Sequence, residues 1–204
     1  MNRPGKIVCV GRNYREHAKE LGNEVPAEPL IFLKPPSTVI RDGEPIVLPP
    51  VSQQVEYEGE IGVIIGRTLR RGSEAEALAA IRGIVAVNDV TARDLQKRDG
   101  QWTRAKGFDT FCPMGPMARA PADLSTLSVV TRVNGKERQR GTAADMVFSI
   151  PSLLQYISGI MTLEPGDLVA TGTPAGVGPL ADGDIVEVEI EGVSRVTNPV
   201  QPER

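Results

Sequence analysis

The chain has 204 residues, with 26 acidic and 23 basic side chains and a net charge of −3. That length suits one domain and a core large enough to fold without a disulfide framework. The acid balance and only eight aromatic side chains argue against a nucleic-acid partner, which would want a basic stripe or a stacking platform. No apolar run reaches the roughly 18 residues of a bilayer span, so a membrane partner is not expected. The apolar core of the amino-terminal stretch is too short for a signal peptide. Two cysteines, Cys9 and Cys112, read as reduced thiols of a cytoplasmic protein.

Residues 6–10 (KIVCV) are expected to form a buried strand, and residues 12–21 a helix that stops near Gly22. Residues 23–52 are rich in proline and contain one apolar run, Leu30 to Leu33; they read as a long excursion with short strands. Residues 55–65 (VEYEGEIGVII) read as one strand. Residues 73–82 form the clearest amphipathic helix, with Ser73 and Glu76 as a capping box. Residues 84–88 are a strand buried on both faces. A helical turn over 91–96 precedes a polar loop that runs to Lys106. Asn134-Gly135 predicts a type I′ hairpin between 128–133 and 136–140. Residues 149–158 are a helix capped by Ser149, 167–171 a strand, and 184–191 a strand with Val186, Val188 and Ile190 inward and Glu187, Glu189 and Glu191 outward. The whole is mixed α+β and strand-dominated.

The single histidine, His17, excludes a multi-histidine zinc site. Any bound metal must be held by oxygens, which favours Mg²⁺, Mn²⁺ or Ca²⁺. Side chains alternate along a strand, so Glu56, Glu58 and Glu60 share one face. They are either a solvent-facing edge or, because the strand becomes fully apolar from Ile61, carboxylates in need of a counter-charge. Asp89 closes the strand 84–88. It is either a helix cap or a third ligand beside Glu58 and Glu60, in a facial set suited to Lewis-acid chemistry. Arg93 and Gln96 lie three residues apart on one helix face. Lys106 is a surface-loop lysine or an inward charge, and Lys34, among apolar neighbours, snorkels or points inward. His17 and Glu20 are a surface pair or an imidazole oriented by a carboxylate. The segment TGTPAGVG, with Thr173, is a tight turn or a bend whose N–H groups meet a small anion. It has no Walker ending, which disfavours nucleotide binding.

Together these stretches resemble the fumarylacetoacetate hydrolase superfamily. The likeness lies in VGRNYREHAKELG, PLIFLKPPSTV, VEYEGEIGVIIG, VNDVTARDLQ, KGFDTFCPMGP, NGKERQRG and LEPGDLVATGTPAGVGPL, in order, over nearly the whole chain. The resemblance implies a β-sandwich roll with a few peripheral helices, as a homodimer, with residues 1–204 as one catalytic domain and residues about 11–30 as a mobile lid. It implies Glu58, Glu60 and Asp89 as ligands of Mg²⁺ or Mn²⁺, and His17 and Glu20 as a catalytic dyad. Lys106 would stabilise an enolate, and Arg12, Gln96 and Thr173 would hold a 2-oxo acid. Arg93 and Lys34 match further active-site positions. The expected reaction is C–C hydrolysis of acylpyruvates. The alternatives are isomerisation of 2-hydroxyhepta-2,4-diene-1,7-dioate or 5-carboxymethyl-2-hydroxymuconate in aromatic-acid breakdown, oxaloacetate decarboxylation, or, in another class, a non-catalytic metal protein that binds dicarboxylates.

Overall fold

The computed structural model describes residues 3–20, 22 and 24–203. Apolar, β-branched runs build two five-stranded sheets. One has the order Leu30–Lys34, Ile7–Gly11, Leu168–Ala170, Gly59–Ile65, Ile81–Asn88, antiparallel except where Ile7–Gly11 runs parallel to Leu168–Ala170. The other has the order Lys136–Thr142, Ser128–Val133, Ile185–Ile190, Ser194–Pro202, Ile46–Leu48. Two smaller sheets join Gly178–Pro179 to Val55–Tyr57 and Thr91–Ala92, and Val39–Ile40 to Cys112–Pro113. Val8, Val10, Ile61 and Val63 of the first large sheet meet Val129, Val188, Ile190 and Val196 of the second in one apolar core. The helix Ile150–Ile160 closes that core with Leu153, Leu154 and Ile157. The expected strand-dominated α+β roll is what the chain forms.

Local signals are well obeyed where they act over a few residues. Ser73 caps the helix Glu74–Ala80 with Glu76 completing the box, and Ser149 accepts from the Ser152 N–H. Asn134 and Gly135 both take positive φ, 53° and 74°, as a type I′ turn requires. Val186, Val188 and Ile190 are buried, while Arg132 spans Glu187 and Glu189 at 2.9 and 2.8 Å on the other face.

Four expectations need correction. The first helix is Arg15–Glu20, not 12–21, and residue 21 lies outside the described residues. Arg12 has φ 58°, Asn13 is tied to the chain elsewhere, and Tyr14 bridges to Met146, so none of the three is free to begin a helix. The strand over 55–65 divides at Glu58 into Val55–Tyr57 and Gly59–Ile65, which belong to different sheets. The turn over 91–96 is a short strand, Thr91–Ala92, followed by a helix Arg93–Asp99. The loop before Lys106 ends in a helical turn, Thr103–Lys106. The proline-rich excursion carries the short strands expected of it, Leu30–Lys34, Val39–Ile40 and Ile46–Leu48, while Cys112–Pro113, Gly178–Pro179 and Ser194–Pro202 go unread in the sequence. No helix among the described residues is long and apolar enough to cross a membrane.

Candidate active site

The break at Glu58 makes the site. There the chain leaves one sheet for another, and its backbone is sewn to the end of the strand Ile81–Asn88. The Glu58 N–H donates to Asn88 Oδ1 at 2.9 Å, and the Asp89 N–H donates to the Glu58 carbonyl at 2.8 Å. The Gly59 N–H donates to Gln139 Oε1 at 3.0 Å. Gly59 has no room for a side chain, since a Cβ would lie 2.0 Å from Thr131 Oγ1. This corner brings Glu58, Glu60 and Asp89 together, with one ligand atom from each within 4.8 Å of the others, all buried. Glu56 stays outside the cluster and accepts from Arg93 Nε at 2.7 Å and from Gln54 Nε2 at 2.5 Å. Asp89 is not a helix cap: the helix that follows is preceded by Ala92 and has no side-chain cap.

Three cations converge on these carboxylates. Lys106 Nζ donates to Glu58 Oε2 at 2.8 Å and Asp89 Oδ2 at 2.5 Å, and lies 5.0 Å from the centre of the Phe32 ring. Lys34 Nζ donates to Asp89 Oδ1 at 2.5 Å and to the Val90 carbonyl at 3.1 Å. Arg93 bridges Glu56 and Glu58 and donates to Gln96 Oε1 at 2.5 Å. So Lys106 and Lys34 point inward rather than lying on the surface, both 2% exposed.

The electrostatics separate the two glutamates. Burial pushes the Glu58 carboxyl up, but Lys106 and Arg93 outweigh it and hold it well below the usual carboxylate range. Glu60 has no such partner. Burial, then Asp89 and Glu58, raise it well above that range, and only Lys106 and the Gly172 N–H at 2.8 Å oppose them. Burial disfavours the Lys106 ammonium, yet Asp89 and Glu58 outweigh it and raise the pKa, so the group stays a cation. A buried set of three crowded carboxylates, one without a cation of its own, fits an oxygen-seeking divalent ion.

The first helix folds over this cluster. His17 is buried, and its Nδ1 lies 3.3 Å from Glu20 Oε2. Glu20 in turn accepts from the Gly176 N–H at 3.0 Å. In the TGTPAGVG segment the Gly172 and Gly176 N–H groups donate to the protein's own Glu60 and Glu20. Thr173 Oγ1 donates to the Gly59 carbonyl at 2.9 Å and accepts from Gln139 Nε2 at 2.8 Å.

A cavity of about 220 Å³ is lined by Arg12, His17, Glu58, Glu60, Asp89, Arg93, Gln96, Lys106 and Thr173, so the residues singled out in the sequence share one space. Glu20 stands behind His17 and Lys34 behind Asp89. Phe32, Lys97 and Trp102 also line it and are not evident from the sequence. Nor is Asn13, whose Nδ2 donates to the Thr171 carbonyl at 2.8 Å and whose Oδ1 accepts from the Phe148 N–H at 2.8 Å. Gln139 lies in NGKERQRG, but nothing marks it as a bridge; Asn13, beside Arg12 in VGRNY, was the more findable signal.

A carboxylate triad, a buried lysine and a carboxylate-backed histidine share one cavity on a β-sandwich roll, the fittings of an enzyme site. The chain belongs to the fumarylacetoacetate hydrolase family, matching the Fumarylacetoacetate (FAA) hydrolase C-terminal family over residues 6–201. It is 43% identical over 212 residues to oxaloacetate tautomerase YisK of Bacillus subtilis, covering 97% of this chain and 70% of that protein. It is 43% identical over 195 residues to the mitochondrial oxaloacetate decarboxylase of Dictyostelium discoideum, covering 92% and 89%. The structure of 5-carboxymethyl-2-hydroxymuconate delta-isomerase from Mycobacterium smegmatis superposes with a TM-score of 0.92 at 44% identity, over 99% of this chain and 80% of that one. The expected C–C hydrolysis finds no support in these names, which favour the isomerase and decarboxylase alternatives and add a tautomerase, a reaction not read from the sequence.

Proposed function

We propose that this protein is a tautomerase of small 2-oxo dicarboxylic acids, with oxaloacetate as the substrate, dependent on Mg²⁺ or Mn²⁺ held by Glu58, Glu60 and Asp89. The observation that carries the reading is the meeting of the carboxylate triad with Lys106 and the His17–Glu20 pair in one cavity. The cavity is small beside the roughly 300–1,000 Å³ of drug-sized sites, which supports a short acid.

The metal ion would supply Lewis-acid polarisation of the substrate's 2-oxo group. The chain's own residues do the rest. Arg12, Gln96 and Thr173 hold the 2-oxo-acid end. Lys106, kept cationic by Asp89 and Glu58, stabilises negative charge as it develops on the 2-oxygen. His17 moves a proton at C3, oriented by Glu20, which the Gly176 N–H holds in place. The helix Arg15–Glu20, as a lid, excludes water around the enolate. Ketonisation removes the proton from the enol hydroxyl and adds one at C3, so the same groups serve either direction.

The longer isomerase reaction is the second reading, supported by the likeness to the Mycobacterium smegmatis enzyme. A homodimer and a reducing, cytoplasmic setting belong to the same proposal; the two buried free cysteines support the latter. The test is the decay of enol-oxaloacetate with Mg²⁺ and then with excess EDTA. Pyruvate release is followed in parallel, with acetylpyruvate and a 2-hydroxymuconate-type dioate as other substrates. EDTA-sensitive acceleration of enol decay without matching pyruvate release is expected. No acceleration of oxaloacetate tautomerisation overturns the reading.

A further inference from the structure

The helix Arg93–Asp99 sends one face into the cavity. Arg93, Gln96 and Lys97 stand at i, i+3 and i+4, so they follow one another along that face. Arg93 is spent on Glu56 and Glu58, and the Gln96 Oε1 on Arg93. Lys97, exposed, makes no ion pair or hydrogen bond among the described residues. Its own helix offers it nothing. Asp94 accepts from Ser52 Oγ and the Gln53 N–H, and Asp99 pairs with Arg98 and Arg104. The cavity offers it nothing either: Glu58 is held by Arg93 and Lys106, Asp89 by Lys34 and Lys106, and Glu60 by the Gly172 N–H. Beside it the cavity is walled by Trp102, which stacks edge-on against Phe32 with ring centres 5.1 Å apart. A Cβ on Gly11 would come within 2.9 Å of the Trp102 ring, so that wall is close-packed on the end of the strand Ile7–Gly11. Low-dielectric surface next to an uncompensated cation concentrates its field on whatever enters.

We infer that Lys97 is the specificity residue that receives the distal carboxylate of a 2-oxo dicarboxylate, selecting a dianionic substrate over one with a neutral tail. The inference rests on the reading of the cavity as an oxo-acid site and adds the recognition of its far end. It also bears on which reaction follows. In decarboxylation the C3–C4 bond breaks, its electron pair enters C2–C3 to form the enolate, and the C4 carboxylate departs as neutral carbon dioxide. A C4 carboxylate paired with Lys97 loses that ion pair on the way, so the pairing opposes decarboxylation. Tautomerisation moves only protons and keeps the pair throughout.

The experiment compares oxaloacetate with its 4-methyl ester, which has the same 2-oxo-acid end and no distal charge, as substrates for enol decay. The parent is expected to prefer the diacid in kcat/KM. Lys97→Ala should lower that preference about tenfold, mainly through KM for the diacid. Lys97→Arg should restore it, which a merely structural role would not require. The ratio of pyruvate release to enol decay should rise in Lys97→Ala. A parent that tautomerises neither compound overturns the oxo-acid reading and the inference with it. An active parent whose preference survives in Lys97→Ala overturns the Lys97 assignment alone.

Discussion

Glu60 is the carboxyl of the triad with the least local support, and its chemistry sets the pH behaviour of the site. Its pKa is raised, so the neutral form is favoured in the fold, and the group must lose a proton to act as a metal ligand. Mg²⁺ affinity is therefore expected to rise as pH climbs above the ordinary carboxylate range, with proton release on binding; calorimetry in buffers of different ionisation enthalpy measures both. Glu60→Gln should weaken Mg²⁺ at least about tenfold while making the metal-free protein more stable near neutral pH by about 1 kcal/mol. Glu58 has the opposite sign. Its lowered pKa contributes stability above the ordinary carboxylate range that is lost as pH falls through the folded value. The reacting groups have separate signatures: His17→Asn is expected to lower kcat roughly 10²–10⁴-fold with Mg²⁺ affinity retained, and Lys106→Met roughly 10²–10³-fold. A His17→Asn variant with parental kcat would remove His17 from the mechanism.

At the scale of elements, the first helix is placed by contacts far away in the chain. Asn13 anchors its start to Thr171 and Phe148, and Glu20 anchors its end to Gly176. Gly176 has φ 101°, and a Cβ there would lie 2.1 Å from the Arg138 carbonyl. Gly176→Ala is expected to cost about 1–3 kcal/mol and to lower kcat as well, because Glu20 loses its backbone donor in position. Ser73→Ala supplies the contrast. It removes a cap remote from the cavity, and thermal unfolding should show a loss of about 1 kcal/mol with kcat unchanged. Equal kcat losses in both variants would mean that activity tracks stability rather than the Glu20 latch.

For the whole molecule, the proposed metal would be linked to the fold by mass action. A metal held by Glu58 at the sheet change, Glu60 in Gly59–Ile65 and Asp89 just after Ile81–Asn88 would bind the folded chain alone. Mg²⁺ at 100 times its Kd should then add about 2.7 kcal/mol, a rise in Tm of roughly 5–11 °C for a chain of this size, reversed by EDTA. Unchanged Tm on adding Mg²⁺ would count against the triad as a metal centre. The core that supports the site is continuous between the two large sheets, with Leu153 of the closing helix buried in it. Leu153→Ala should cost about 2–5 kcal/mol without altering the pH dependence of Mg²⁺ binding.

Much of this was legible in the sequence, for reasons that differ by residue. Capping at Ser73 and Ser149, the Asn134-Gly135 turn and the alternation at 184–191 are short-range, because a cap, a turn or a pleat is satisfied within a few residues. The strand-dominated fold follows from the same signals in sum. The assembly of Glu58, Glu60, Asp89, Lys106 and His17 into one cavity followed from the family motifs, not from periodicity. Alternation alone would have joined Glu56 to the cluster, and only the sheet change at Glu58 separates it. The start of the first helix at Arg15, the turn that carries Lys106, the strand Ser194–Pro202 and the bridging roles of Asn13 and Gln139 were decided by tertiary structure. The bridges of Asn13 and Gln139 reach partners 80 or more residues away, and a linear pattern holds no record of which distant carbonyl will need a donor.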